Sequence, residues 1–340
     1  MKRKEYTITD IANTLGVSTA SVSRALSGAA GVGDELRLKI LQFCREIGYQ
    51  TPGTAKHQAA GSSRIIALIL GDISNPFYAN LAYIIQKHLA EHHYMMMLFN
   101  SEYITENELA FIEKAEQFHF DGLILVTAQD RAISEKLKEI VMPKVLVNRI
   151  LPDYTGSSVL TDNFQAGYEA ALHLINLGHK EIGFIGGPAS SSASTQRYSG
   201  FCQAMLNYSL PVREEYTWTS DLKLESGQKL SQEFLKLTHR PSAIIAVNDM
   251  TSIGFIDGCQ SQGIDVPGDL SVIGFDNIPL SSLHGVQLTT VSQHTEEMGR
   301  IASELMMKQL DSPGSQPERV ILKPSLIIRN STAAVTPEKS

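Results

Sequence analysis

The sequence has few cysteines and no long apolar run. Cys44, Cys202 and Cys259 are odd in number, far apart and without metal-ligand spacing, which indicates buried thiols in a reducing compartment. No run of 18 apolar residues occurs, so a membrane span is not expected. No apolar segment follows the basic residues 1–6, and without a secretory signal we expect a cytoplasmic protein.

Sequence motifs that are typical of catalytic sites or of nucleotide-binding sites are also missing. Gly186-Gly187 lacks the rest of a dinucleotide fingerprint, and Ser190–Ser192 lacks the context of a nucleophile elbow. His92-His93 ends a predicted helix and is typical of a solvated turn rather than of a metal site. We therefore expect that the protein is not an enzyme and has neither a cofactor nor a metal.

Charge is divided unevenly along the chain. Residues 1–60 carry eight Lys or Arg and five Asp or Glu, a net charge of +3. The whole chain has a net charge of −7, so residues 61–340 carry −10. A basic N-terminal segment on an acidic body is expected when only that segment meets phosphate groups.

Two short helices joined by a tight turn are predicted between Thr7 and Leu26. Thr7 and Asp10 have the spacing of a capping box, and Gly16 suits a left-handed helix end. Ser18 suits the N-cap of the second helix. The outer face of that second helix carries small, polar or cationic side chains, which are Thr19, Ala20, Ser21, Ser23 and Arg24.

Such a face suits a helix that enters a groove of DNA, where Arg24 could donate two hydrogen bonds to a guanine edge. Any small helical hairpin has similar caps, so the pattern alone also fits a hairpin that binds no DNA. A third helix is predicted over residues 34–47, which completes a head of residues 1–50. Residues 51–63 have the composition of a linker, with Pro52, Gly53 and Gly61.

From Arg64 onward, short apolar runs alternate with helical patterns. Runs such as Ile65–Leu70 are typical of strands buried on both faces of a parallel sheet. The predicted strands are 65–70, 94–99, 122–126, 144–147, 182–185, 243–247, 271–275, 287–291, 320–322 and 326–328. The alternation predicts a two-lobed α/β core over residues 64–330, followed by a flexible polar tail at 331–340.

Ligands of open parallel sheets bind beyond the carboxyl ends of the strands. In this chain those positions hold acids, amides, an arginine and an aromatic residue. They are Asp72 to Phe77, Asn148-Arg149, Gly186 to Pro188, Asn248-Asp249 and Asp276-Asn277. Carboxylates and amides pair with hydroxyl groups and apolar faces stack on a ring, so these residues suit a polyhydroxylated ligand.

These segments together resemble the lactose- and galactose-repressor family of bacterial transcription regulators. The resemblance covers nearly the whole chain, and its motifs lie at residues 7–26, 72–78, 121–125, 248–250 and 266–276, with 147–152 most similar to galactose-type members. It implies an all-α helix-turn-helix head and a two-lobed core like the periplasmic binding proteins, with parallel sheets. The N-lobe would span 64–161 and 292–322, and the C-lobe 162–291 and 323–330.

The resemblance also implies partners and residue roles. A homodimer would bind a near-palindromic operator in double-stranded DNA, and no membrane. The implied DNA contacts are Thr7, Ser18, Thr19, Ala20, Ser21, Ser23, Arg24, Lys56 and Ala59. The implied effector contacts, in a cleft between the lobes, are Asn75, Phe77, Arg149, Arg197, Leu222, Asn248 and Asp276. A small sugar bound there would release the operator, as in a repressor of carbohydrate-use genes.

The chain departs from the family pattern at two places. Family hinge helices usually carry a leucine that wedges into the minor groove at the operator centre. Here Ala59 occupies the directly matching position, and a one-residue shift gives Gln58, so this segment has no leucine to insert. Sugar-binding relatives often carry an aromatic residue where this chain has Leu222, so weaker ring stacking or a different ligand is expected.

Two other functions fit the same pattern. A sugar-binding protein or a carbohydrate enzyme can use the same two-lobed fold. A regulator can also depend on a corepressor, in which case the ligand strengthens DNA binding instead of weakening it.

Overall fold

The computed structural model describes residues 7–27, 32–46, 62–127, 130–151 and 153–335. It divides into two compact units, residues 1–63 and 64–340. Across these described ranges, no helix is both long enough and apolar enough to cross a membrane.

In the described part of the first unit lie three helices, which are α1 (Ile8–Leu15), α2 (Thr19–Ser27) and α3 (Asp34–Glu46). The Thr7 hydroxyl accepts a hydrogen bond from the Asp10 backbone N–H at 3.2 Å, and the Asp10 carboxylate accepts one from the Thr7 N–H at 2.8 Å. This is the expected capping box. Gly16 ends α1 with φ of 66°, a left-handed conformation that glycine adopts without strain.

The core of the head is small and draws on all three helices. Ile11 of α1, Val22 of α2 and Ile40 of α3 are fully buried against one another. Because these side chains turn inward, the outer face of α2 is left to the polar residues.

The second unit begins with the strands and helices of the N-lobe. They are β1 (Ile65–Leu70), α4 (Pro76–Glu91), β2 (Met95–Asn100), α5 (Thr105–Gln117), β3 (Gly122–Leu125), α6 (Arg131–Glu139), β4 (Lys144–Val147) and β5 (Ser157–Thr161). The C-lobe follows with α7 (Asn163–Asn176), β6 (Ile182–Gly186), α8 (Ser192–Asn207), β7 (Thr217–Thr219), α9 (Leu224–Leu235), β8 (Ala243–Ala246), α10 (Asp249–Gln260), β9 (Ser271–Asp276) and β10 (Thr289–Ser292). The last elements are α11 (Thr295–Asp311), β11 (Arg319–Leu322) and β12 (Ser325–Ile327). Short 3₁₀ turns occupy Glu214–Tyr216 and Pro279–Ser282.

Each lobe is built on a six-stranded sheet. The N-lobe order is β11-β5-β4-β3-β1-β2, with parallel pairing throughout. The C-lobe order is β12-β10-β9-β8-β6-β7, in which only β12 runs antiparallel to its neighbour β10. Since β11 pairs in one sheet and β12 in the other, the chain crosses between the lobes again near its end.

Helices cover both faces of the N-lobe sheet, as continuous apolar strands require. In β1, Ile66, Leu68 and Leu70 pack on the side of α4 and α11, whereas Ala67 and Ile69 pack on the side of α5 and α6. This explains why β1 reads as an unbroken apolar run rather than as an alternation.

Two strands were not predicted. β5 begins with two serines and β7 has three residues, Thr-Trp-Thr, so neither shows the apolar run by which the other strands are recognised. Helix α6 begins at Arg131, where the Asp130 carboxylate caps it by accepting a hydrogen bond from the Ala132 N–H at 2.9 Å.

The expectation of a flexible tail is wrong for residues 331–335. Ser331 is buried, and its hydroxyl donates to the Val272 carbonyl at 2.6 Å and accepts from the Thr289 N–H at 2.8 Å. The Ala333 N–H donates to the Ser271 hydroxyl at 3.0 Å. Polar composition suggested fraying, but these polar groups form hydrogen bonds at the start of the interior strands β9 and β10. Cys202 is likewise only half-buried, unlike Cys44 and Cys259.

Candidate ligand-binding cleft and nucleic-acid interface

A cleft lies between the two lobes, where the carboxyl ends of the strands face each other. All seven side chains that the sequence led us to expect at an effector site line this one cleft, and they are Asn75, Phe77, Arg149, Arg197, Leu222, Asn248 and Asp276.

The start of helix α4 forms the apolar part of the N-lobe wall. The Asn75 side chain caps the helix by accepting a hydrogen bond from the Phe77 N–H at 3.0 Å. Pro76 occupies the first turn, where its missing N–H costs nothing. The cap therefore fixes the direction in which Phe77 and Tyr78 enter the wall, with their rings edge to face at 5.1 Å.

Arg149 follows β4 and is buried in the same wall. One terminal nitrogen donates to the Asn148 carbonyl and the other to the Tyr78 hydroxyl, each at 3.0 Å. Both partners are neutral. The guanidinium is thus held in place without a counter-charge from either hydrogen-bond partner.

Arg197 forms the centre of the C-lobe wall. Its Nε donates to the Asn163 side-chain oxygen at 2.8 Å, and its Nη1 donates to the Val247 carbonyl at 2.5 Å. The guanidinium lies 3.9 Å from the Asp276 carboxylate and stacks over the Phe275 ring at 4.5 Å. Complete burial lowers the pKa of Arg197 to about 10, so the group stays charged at neutral pH.

Two buried carboxyl groups lie behind this arginine. Asp276 accepts a hydrogen bond from the Gln293 amide at 2.5 Å, and burial raises its pKa to about 6 although Arg197 opposes the rise. Asp249 accepts from the Ile278 N–H, and burial, together with the charge of Asp276, raises its pKa to about 7. The pair therefore holds protons more tightly than ordinary aspartates.

Asn248 links two C-lobe loops at the cleft. Its side-chain oxygen caps α10 by accepting from the Thr251 N–H at 2.8 Å, and its amide donates to the Leu222 carbonyl at 2.9 Å. The second bond fixes the loop that brings the Leu222 side chain to the cleft, with φ of 72° at that residue. A leucine in the left-handed region is strained, and such strain is typical of binding sites.

Six further polar residues of the cleft lining were not among the expected effector contacts: Tyr78, Tyr103, Asn148, Ser191, Ser194 and Gln293. Tyr103, Asn148 and Gln293 lie within three residues of a strand's carboxyl end, and that position was the available signal, by which the sequence had already indicated Asn148. Among the described residues, four buried atoms of the cleft lining have no hydrogen-bond partner, namely Tyr103 Oη, Asn148 Oδ1, Arg149 Nε and Gln293 Oε1. Buried polar atoms are normally paired, so these four atoms offer hydrogen-bonding positions that a polar ligand could use.

The candidate DNA-facing surface lies on the head. Thr7, Ser18, Thr19, Ala20, Ser23 and Arg24 are exposed, and Ser21 is half-buried. Ser18 accepts a hydrogen bond from the Ser21 N–H at 3.0 Å, and the two hydroxyls lie 2.9 Å apart. Lys56 and Ala59 lie outside the described residues. In the described part of the chain, no cluster of three or more His, Cys, Asp or Glu side chains could hold a metal ion.

Comparison with known proteins covers both units. Residues 7–52 match the family described as bacterial regulatory proteins, lacI family, and residues 171–332 match the periplasmic binding protein-like domain. The HTH-type transcriptional regulator DegA of Bacillus subtilis (strain 168) is 33% identical over 332 residues, which cover 96% of this chain and 98% of DegA.

Two further similarities also span nearly the whole chain. The HTH-type transcriptional repressor CytR of Escherichia coli (strain K12) is 32% identical over 332 residues, 97% of either protein. Among solved structures, the complex of the transcriptional regulator CelR with cellobiose has a TM-score of 0.72 and 25% identity, and the match covers 96% of this chain and 100% of that one.

Proposed function

We propose that this chain, which belongs to the lacI family of bacterial regulatory proteins, represses carbohydrate-use genes until a small sugar or sugar derivative binds between its lobes. The chain is a DNA-binding transcriptional regulator with a helix-turn-helix head and a two-lobed core. The proposal adds the effector class, the direction of its effect and the residues that bind it. We also propose that the protein acts in the cytoplasm and catalyses no reaction.

The observation that carries the proposal is the composition of the cleft. Polar groups from both lobes converge on it, with Asn75 and Arg149 on one side and Arg197, Asn248 and Asp276 on the other. A ligand that bonds to both walls favours one arrangement of the lobes and shifts the equilibrium toward it. The structure of CelR with cellobiose supports a sugar as the ligand class.

Operator recognition is assigned to the outer face of α2. We infer that Thr19, Ala20 and Arg24 contact bases, while Thr7, Ser18, Ser21 and Ser23 contact phosphates. Lys56 and Ala59 are proposed to contact DNA from the hinge. Phosphate contacts release counterions, so operator affinity should fall steeply as salt concentration rises.

A second copy of the chain is the proposed partner in the repressor. Tyr83 on α4 is 63% exposed, and Met95 and Met97 on the edge strand β2 are 65% and 43% exposed. These apolar side chains lie on adjacent elements of the N-lobe, and a homodimer would cover them. A dimer also matches the two half-sites of a near-palindromic operator.

The test is a mobility-shift assay with DNA from the chain's own promoter region, with and without a panel of mono- and disaccharides, sugar acids and sugar phosphates. We expect sequence-specific binding that one sugar or sugar derivative weakens. A sugar that strengthens binding would identify a corepressor-dependent regulator instead. Binding that ignores DNA sequence, or turnover of a sugar by the protein, would contradict the proposal.

A further inference from the structure

Arg149 is a buried cation without a neighbouring anion. Its side chain is 4% exposed, and its two hydrogen-bond partners are the neutral Asn148 carbonyl and Tyr78 hydroxyl. Its Nε has no partner, and among the described residues no carboxylate oxygen lies within 4.0 Å of its guanidinium. Arg197, on the opposite wall, differs because the Asp276 carboxylate lies 3.9 Å away.

The lining of the cleft carries more positive than negative side chains. It holds two arginines, Arg149 and Arg197, and one carboxyl group, Asp276, which lies 3.9 Å from Arg197 and also interacts electrostatically with Arg149. Glu108, whose charge also acts on Arg149, lies outside the lining and bonds to the Thr127 hydroxyl at 2.7 Å. Burial raises the pKa of Glu108, while hydrogen bonds from Thr127 and Ser101 and the charge of Arg149 oppose the rise.

A buried charge is strongly unfavourable unless it is paired and hydrogen-bonded. The free protein bears that cost at Arg149, and a ligand that brings a negative group would remove it. Charge-assisted hydrogen bonds from arginine to a carboxylate or a phosphate are also among the strongest that a ligand can make. The unpartnered Nε provides a further donor for such a group.

We propose that the effector is a small polyhydroxylated anion, a sugar acid or a phosphorylated sugar, whose negative group binds beside Arg149. This inference rests on the proposed function, because it assigns the charge of the ligand in the same cleft. The hydroxyl groups of the ligand face Asn248 and Asp276, and Phe77 covers its apolar face. Neutral sugars of the same shape are therefore weak ligands.

The test is isothermal titration calorimetry of the full-length protein with matched neutral and anionic sugars. The probes are glucose, gluconate, glucuronate and glucose 6-phosphate, with the corresponding sets for galactose, fructose and ribose. We expect one anionic member to bind at least about tenfold more tightly than its neutral counterpart. Comparison of the acid with the phosphate of the same sugar identifies the anionic group.

Variants at position 149 test whether the arginine is responsible. Arg149→Met should abolish the preference for the anion, and Arg149→Lys should keep part of it because the positive charge remains. A neutral sugar that binds as tightly as its anionic counterparts would overturn the inference while leaving the proposed function intact. A preference for the anionic sugar that persists in Arg149→Met would also overturn the inference.

Thermal denaturation without any sugar gives an independent result. Arg149→Met should melt no lower than the unsubstituted protein, and inorganic phosphate at matched ionic strength should raise the Tm of the unsubstituted protein only. Arg197→Met is the matched control, and it should melt lower because it leaves Asp276 without its ion pair. A large drop in Tm for Arg149→Met, or phosphate stabilisation of both proteins alike, would overturn the inference even if no sugar in the panel binds.

Discussion

Gly167 and Arg197 touch through their backbones where α7 crosses α8. A Cβ atom at Gly167 would lie 2.0 Å from the Arg197 carbonyl oxygen, which no side chain can tolerate. The same crossing brings Gly200 equally close to the Phe164 carbonyl. The two helices therefore approach at a distance that only glycine permits, and this approach fixes the position of the central arginine of the cleft.

Substitution at this crossing should disturb both stability and ligand binding. Gly167→Ala must push α7 and α8 apart, and overpacking of this kind costs about 1–3 kcal/mol. The movement also separates Arg197 from Asn163, which lies on α7, so effector affinity should fall. Thermal denaturation and calorimetry measure the two effects. Gly285→Ala, where nothing lies within 4 Å of the added atom, should leave both unchanged; a similar loss in both variants would contradict the argument.

The buried carboxyl pair predicts a pH dependence of stability. The pKa of Asp249 is raised from 3.8 to about 7, chiefly by burial and next by the charge of Asp276. The folded state therefore binds protons that the unfolded state has lost, and this contribution to stability is complete below pH 3.8 and disappears as pH rises toward 7.

Asp249→Asn isolates that contribution. The free energy of unfolding of the unsubstituted protein minus that of Asp249→Asn should decrease as pH rises from about 4 to about 7. Urea denaturation at intervals across this range gives the difference directly. A difference that is constant with pH, or one that grows as pH rises, would show that Asp249 is ionised throughout.

The segment 331–335 should contribute to the stability of the C-lobe. A chain that ends after Asn330 loses the bonds of Ser331 and Ala333 to the sheet and leaves the Thr289 N–H unpaired. Each lost hydrogen bond costs about 0.5–1.5 kcal/mol. A chain that ends after Val335 keeps all of these bonds and serves as the control. We expect a clear fall in Tm for the first truncation only, and equal Tm values would contradict the structural role of the segment.

Much of the fold can be predicted from local sequence patterns, because the spacing of apolar residues and the capping residues act within a few positions of the chain. Apolar runs such as β1 mark strands that are covered on both faces, and Thr7 with Asp10 marks a helix start. Predictions failed where long-range contacts decide the structure. Ser331 is polar and near the end of the chain, yet it is buried because its partners, 42 and 59 residues away, lie on the interior strands β10 and β9.

Prediction of the cleft residues from the sequence is limited in the same way. Asn75, Asn248 and Asp276 lie at, or within five residues of, the carboxyl ends of β1, β8 and β9, so the topology of a parallel sheet places them at the site. Arg197 lies inside α8 and resembles a surface arginine in sequence, and only the family resemblance pointed to it. Its role depends on Asn163 and Val247, which lie 34 and 50 residues away.

The proposed division of the head into base and phosphate contacts can be tested at Arg24. Arg24→Ala should weaken operator binding by about 1–3 kcal/mol and reduce the preference for the operator over unrelated DNA, since a bidentate contact to guanine is lost. Ser23→Ala, which removes a proposed phosphate contact, should weaken binding to operator and to unrelated DNA by the same factor. Fluorescence anisotropy at fixed salt measures the affinity of each variant for the operator duplex and for a scrambled duplex. If Arg24→Ala weakened the two duplexes equally, Arg24 would contact phosphate, and base reading would have to be assigned to Thr19 and Ala20.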